Sequence, residues 1–302
     1  MHIPILVTEV LHMLDIQPDD IVLDGTVGFG GHAQAICSKL GKKGIYIGLD
    51  QDPNAIQAAS RISADEIAPN TAYKLILAQT NFRNFPIVLK KHGIASVTKC
   101  LLDLGMSSFH LDQSNKGFSF QRDEPLDMRM YSPADHLSDS KTAADILNTY
   151  SETELIHVFQ TFGEFRHPER FVSEILRRRA HDKIQTTTEL VGLIKKGFYF
   201  RNKRSLYINT CARVFQALRI EVNQELDALK EFLGYLKDYL AENGRAAILT
   251  FHSLEDKIVK DFVKNNKEWL TPLNKKVIKP AQSEIRKNSR SKSAKLRVIA
   301  RQ

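Results

Sequence analysis

Nothing constrains this chain more than nine residues near its start, Asp24-Gly25-Thr26-Val27-Gly28-Phe29-Gly30-Gly31-His32. They follow a short apolar run, Ile21-Val22-Leu23, and lead into a helix-like segment over residues 33–40. A strand, a glycine-rich turn and a helix form the arrangement by which α/β proteins hold an adenosine-bearing cofactor. Glycine permits positive φ and lets the backbone approach a ligand closely. A tight strand-to-helix turn needs glycine even where nothing binds, so the remaining chain must discriminate.

The strand–helix pattern recurs. Residues 44–49 read as a second strand ending at Asp50, and Asp52-Pro53 opens the next helix with an acid at the N-cap and proline at the first helical position. Further strands are expected at 73–78 and 97–102, the latter ending at Asp103, with a helix around 85–91. Such alternation implies a parallel sheet covered on both faces. A helix over residues 5–14 precedes it. From about residue 107 to 206 helical periodicity takes over, at 143–147, 152–162, 169–179 and 188–197, with Thr187 or Thr188 as cap of the last. Residues 212–240 read as a long helix bent near Gly234. A strand returns at 245–251, Ser253 caps another helix, and residues 296–300 form an amphipathic strand. The expected fold class is α/β, a doubly wound, Rossmann-like sheet with an inserted all-helical domain. Residues 1–107 and 208–302 would form the sheet domain and 108–207 the insertion.

Charge is informative once located. The net charge is +8. Residues 275–302 hold ten Lys/Arg against one acid, and residues 165–204 hold eleven against four, so the rest of the chain is acidic. Two basic regions on an acidic body suit a polyanionic partner. No run approaches the ~18 apolar residues of a membrane span. The first residues lack a secretory leader, and Cys37, Cys100 and Cys211 form no CxxC pair, so a reducing cytoplasm is expected and no metal site. Nothing fixes the oligomeric state; a homodimer stays open.

Three acids carry the chemistry. Asp50, at the end of the second strand and 20 residues past Gly30, suits the hydroxyls of an adenosine ribose. Nicotinamide enzymes share that feature. Asp24, just before the glycines, would repel a dinucleotide pyrophosphate and suits the cationic end of S-adenosyl-L-methionine, which disfavours a dehydrogenase. Asp103 stands where open α/β sheets bind ligands, outside the strand ends. An exocyclic base amine is a poor nucleophile, and methylating it requires an acceptor that orients its lone pair. Asp103 could be that acceptor, or it could simply anchor the turn. His252 could contact substrate or be a satisfied structural residue, and Phe82 could pack on an adenine or belong to the core.

With these residues in place the chain resembles the RsmH (MraW) family of small-subunit rRNA cytosine-N4 methyltransferases. The likeness runs through His2-Ile3-Pro4-Ile5-Leu6-Val7, Leu102-Asp103-Leu104-Gly105-Met106-Ser107-Ser108, Gly117-Phe118-Ser119-Phe120 and Pro125-Leu126-Asp127-Met128-Arg129-Met130. It continues through Phe215-Gln216-Ala217-Leu218-Arg219, Phe251-His252-Ser253-Leu254-Glu255-Asp256 and Asn288-Ser289-Arg290-Ser291. The resemblance implies S-adenosyl-L-methionine bound by Gly30, Gly31, His32, Asp50, Phe82 and Asp103, with His110 where the family usually has glutamine. It implies a substrate-recognition insertion and a target cytidine at the P site of 16S rRNA in the 30S subunit, with Asp127, Arg129 and His252 on the RNA side. Lys116 and Lys257 replace family arginines, losing a planar fork at each place. A catalytically inactive rRNA-binding assembly factor is the alternative of another class.

Overall fold

A computed structural model describes residues 4–61, 73–106, 114–130, 141–201 and 203–302. They form two compact units, Met1–Ser107 with Leu226–Gln302, and Ser108–Glu225.

The first unit is built on β1 (Ile21–Asp24), β2 (Ile45–Asp50), β3 (Lys74–Gln79), β4 (Val97–Asp103), β5 (Leu240–Thr250), β6 (Leu270–Pro272) and β7 (Lys295–Arg301). Their spatial order is β3-β2-β1-β4-β5-β7-β6. β1 to β5 run parallel, and β7 lies antiparallel between β5 and β6. Side chains alternate between the faces, as the two-residue strand period demands. Leu23, Ile47, Leu49, Cys100 and Leu102 join one core, with Phe85, Leu89, Phe232 and Leu236 from the helices Phe85–Lys91 and Glu225–Tyr239. Val22, Tyr46, Leu101 and Ala247 join the other, with Val10, Ile36 and Ala59 from Val7–Leu14, Gly31–Cys37 and Pro53–Ala59. Both faces are covered, so the sheet is doubly wound as expected. The strand order reverses between β1 and β4, and their carboxyl ends form the switch point where such sheets bind ligands.

Local chemistry explains the element ends. Asp52 caps Pro53–Ala59 by accepting the Asn54 N–H at 2.9 Å, as its sequence predicts. The helix expected over 33–40 is Gly31–Cys37, because left-handed Gly30 (φ 86) is its N-cap. The long helix breaks at Gln224 (φ 50), not at Gly234. Gly234 costs a helix only about 1 kcal/mol, and burial of Phe232, Leu233 and Leu236 around it offsets that. β5 begins at Leu240, five residues before its expected start. A shift in its pairing with β4 between Val97 and Lys99 accommodates the extra residues, with Asn243 at φ 59. The edge strand β6 was not anticipated.

In the second unit the described elements are helical: Ala143–Thr149, Glu152–Thr161, Glu169–Arg179, Thr187–Gly197 and Arg204–Asn223. Thr142, Ser151 and Thr186 each head a capping box with the acid three residues on. Thr186 therefore caps the fourth helix. Thr187, one of the two expected caps, instead accepts the Glu124 N–H at 3.0 Å and donates to the Arg122 carbonyl. The helix Arg204–Asn223 packs on Ala143–Thr149 and Glu152–Thr161, so the chain returns to the first unit at Leu226 rather than at residue 208. Among the described residues no helix is long and apolar enough to cross a membrane.

Candidate functional site at the carboxyl edge of the sheet

The turn after β1 is tied to both neighbouring strands. Gly25 N–H donates to the Leu101 carbonyl on β4, and Val27 N–H to the Leu49 carbonyl on β2, both at 2.9 Å. A Cβ at Gly25 would stand 2.8 Å from Leu102 Cδ1 and 3.1 Å from Phe82 Cβ, so only glycine allows this approach. Gly28 is left-handed (φ 53), and a Cβ there would meet only the Thr26 carbonyl oxygen, at 3.8 Å. The space over Gly28 is open. Asp50 closes one side of it, its Oδ2 accepting the Gly28 N–H and its Oδ1 the Asp52 N–H, each at 2.9 Å. A carboxylate held beside an open glycine backbone fits a nucleoside ribose.

Next to it lies a cluster of Asp24, Thr26, His32 and Asp103. The Thr26 hydroxyl accepts the Asp103 backbone N–H at 2.7 Å, bolting the end of β4 to the turn after β1. Asp103 Oδ1 accepts the Gly105 N–H at 3.3 Å. His32 Nε2 lies 3.0 Å from the Ile5 carbonyl, an acceptor only, so Nε2 carries the donated proton. Its Nδ1 is 3.7 Å from Asp103 Oδ2. The Phe251 ring lies against Gly105, where a Cβ would stand 2.8 Å from it, so the end of β5 joins the same edge.

Asp24 sits beneath the turn, 1% exposed. Its Oδ1 accepts the Thr26 N–H at 3.1 Å and its Oδ2 the Tyr46 hydroxyl at 2.7 Å. Burial pushes its pKa up from the ordinary 3.8 to about 6, against the lowering by the Tyr46 hydroxyl, His32 and the Thr26 N–H. The folded chain thus holds this proton more tightly than the unfolded one, and the stability it confers is lost as pH rises from 3.8 towards 6. Urea melts at pH 4 and pH 7 should show the wild type losing roughly 2 kcal/mol relative to Asp24→Asn between them. Equal losses in both proteins would contradict the burial of a charge here.

The other residues singled out in the sequence have structural partners. Phe82 is buried, edge-on to Phe232 at 5.7 Å. His252, not Ser253, is the N-cap of Ser253–Asn265, its Nδ1 accepting the Glu255 N–H at 3.4 Å while Glu255 Oε2 accepts the Phe251 and His252 N–H groups. In the second unit Arg129 donates from Nε and Nη2 to the two oxygens of Asp127, at 2.8 and 2.6 Å. Burial works to raise the Asp127 pKa, but bonds from Arg129 and the charges of Arg129 and Lys116 outweigh it and hold it low. Asn223 fixes the same segment, donating to the Met128 carbonyl and accepting from the Met130 N–H. His110 lies outside the described residues.

Sequence reasoning missed Thr26 and Tyr46. Thr26 had a signal, a lone hydroxyl inside a glycine turn. So did Tyr46: it pairs with Val22 in the β1–β2 register, so the two-residue period puts it on the face of Asp24.

The chain matches the MraW methylase family over residues 1–302. It is 40% identical over 299 residues to "Ribosomal RNA small subunit methyltransferase H" of Dictyoglomus thermophilum, covering 99% of this chain and 96% of that one. Proteins of the same name are 40% identical in Elusimicrobium minutum, covering 98% and 97%, and 39% identical in Bacteroides fragilis, covering 98% and 96%. Full-length similarity at this level, with the glycine turn and strand-end acids assembled at one sheet edge, decides the matter: the chain belongs to the MraW methylase family.

Proposed function

We propose that this chain transfers a methyl group from S-adenosyl-L-methionine to N4 of a P-site cytidine in 16S rRNA of the small ribosomal subunit. What carries the reading is Asp103, held by Thr26 at the switch point of a chain whose whole length resembles small-subunit rRNA methyltransferases. The bound cofactor supplies an electrophilic methyl group on a sulfonium. The protein's own part is positional. Asp50 accepts from the ribose hydroxyls, and the backbone of Gly28, Gly30 and Gly31 lies against the nucleoside. Asp24 keeps the potential beneath the turn negative at pH 7, which favours a cation there and disfavours a pyrophosphate. Asp103 accepts the N–H of the exocyclic amine and turns its lone pair towards the methyl carbon. An acceptor of this kind needs no metal. The target base must leave its stack to reach the site. His110 is assigned to the cofactor, and Asp127, Arg129 and His252 to the RNA side.

The test is methylation of 30S subunits from a strain lacking the protein, followed by mass spectrometry of the rRNA nucleosides. N4-methylcytidine at one position is expected; a modified base other than cytidine, or none, would overturn the reading.

The basic tail divides in two. Lys295 Nζ and Arg297 Nε are bound to Asp256, at 3.2 and 2.8 Å, and hold β7 to the helix Ser253–Asn265. Arg286, Lys287 and Lys292 carry no such pairing to Asp256 and stand on the helical turns before β7. Their triple replacement by glutamine should lower RNA affinity and reduce the slope of log K against log salt by about 2 to 3. Lys295→Gln with Arg297→Gln should instead lower thermal stability. An unchanged salt slope in the triple variant would remove the tail from the RNA interface.

A further inference from the structure

The stretch from Lys195 to Ile208 in the second unit combines two properties that the methyl-transfer site does not use. It carries Lys195, Lys196, Arg201, Lys203 and Arg204, and between Glu189 and Glu221 the sequence contains no acid. It also presents Tyr199, 74% exposed, with Leu206 and Ile208 exposed nearby in the chain. An aromatic side chain so open to water has lost the burial that normally holds it.

The aromatic residues on either side of Tyr199 are nevertheless packed. Phe198 is extended (φ −117, ψ 153), so side chains alternate: Phe198 and Phe200 turn inward and Tyr199 outward. The Phe198 ring packs on Phe165 at 4.9 Å and on Phe171 at 5.1 Å, and Phe200 packs edge-on to Tyr207 at 5.3 Å. Lys203 N–H donates to the Phe200 carbonyl at 2.8 Å. Arg201 flanks the outer ring, 6.0 Å from its centroid. Tyr199 thus stands between two packed aromatics, with its own ring open to solvent.

We infer that Tyr199 is a stacking platform for an unpaired nucleotide of the RNA substrate, with the cations around it gripping the adjoining phosphates. This rests on the reading of the chain as an rRNA methyltransferase. Charge selects the partner: five cations without an acid would be costly to desolvate against an ordinary protein surface and are neutralised by phosphates. The ring selects the form of RNA, because only an unpaired base offers its flat face to an aromatic side chain.

The test uses the full chain with a labelled single-stranded RNA of about 12 nucleotides and a duplex of the same sequence, read by fluorescence anisotropy. Tyr199→Ala should weaken single-strand binding about tenfold, leave the salt slope and duplex binding unchanged, and be rescued by Tyr199→Phe. Lys203→Gln with Arg204→Gln should weaken both probes and lower the single-strand slope by about 1.4. Wild-type single-strand affinity in Tyr199→Ala, or equal loss on both probes, would overturn the inference. Because the ring is exposed, its removal does not disturb the core. Methylation of 30S subunits is scored separately. A protein that stacks RNA through Tyr199 but methylates no subunit sinks the enzymatic reading and leaves the platform standing. One that methylates subunits while Tyr199→Ala binds normally sinks the platform alone.

Discussion

Asp103→Ala should fold, bind RNA and transfer methyl groups about a thousandfold more slowly than wild type. The fold survives because the bond joining β4 to the turn after β1 runs from the Asp103 backbone N–H to Thr26, and alanine keeps it. What disappears is the carboxylate beside His32 and Gly105, the acceptor that orients a delocalised amine. Asp103→Asn retains an acceptor oxygen without the charge and should fall between the two. Single-turnover transfer from radiolabelled S-adenosyl-L-methionine to unmodified 30S subunits, with RNA binding measured alongside, separates chemistry from recognition. Near-normal turnover in Asp103→Ala would mean that the residue only anchors the edge of the sheet.

Gly117→Ala has the largest expected effect on stability. Gly117 sits at φ 78, which costs an L-residue about 1–2 kcal/mol. A Cβ would also press on the Pro125 carbonyl oxygen and approach Leu126 Cα to 3.2 Å. Nearby backbone has little room to retreat: Gly117 N–H donates to the buried Glu124 carboxylate, and Met128 N–H to the Lys116 carbonyl. Strain and overlap together should remove about 3 kcal/mol or more from the second unit. Gly192→Ala is the matched opposite. It lies within Thr187–Gly197 with nothing inside 4 Å of the added carbon, so alanine should stabilise by up to about 1 kcal/mol. Urea midpoints moving in opposite directions would bear this out, and two unchanged midpoints would refute it.

What could be read in advance was what is local. The Asp52-Pro53 helix start, the apolar strands ending in Asp50 and Asp103, and the four helices between residues 143 and 197 all announce themselves within a few residues. Pairings across long stretches of chain do not. Lys295 and Arg297 look like RNA contacts in the sequence, but Asp256, about 40 residues earlier, binds both. The capping box that His252 forms with Glu255 is visible only once the strand and helix around it are in place. Asp24 looks like a ligand-facing acid, but Tyr46 on the next strand engages it under the turn. The Gly234 bend failed for a different reason: a weak propensity was read without the packing that overrides it.

Insertion of the second unit between β4 and β5 also sets a clock. β4 pairs with β5 from Lys99↔Arg245 to Asp103↔Leu249, so its partner leaves the ribosome roughly 150 residues later, on the order of ten seconds at ordinary synthesis rates. Throughout that interval the nascent sheet ends in a strand of apolar residues, Val97, Cys100, Leu101 and Leu102, with one row of N–H and C=O groups unpaired. The helices that follow make short-range contacts and fold in far less time. The open edge of the waiting sheet is therefore β4, and slow translation between residues 104 and 245 prolongs the exposure of the strand that ends in the proposed catalytic carboxylate.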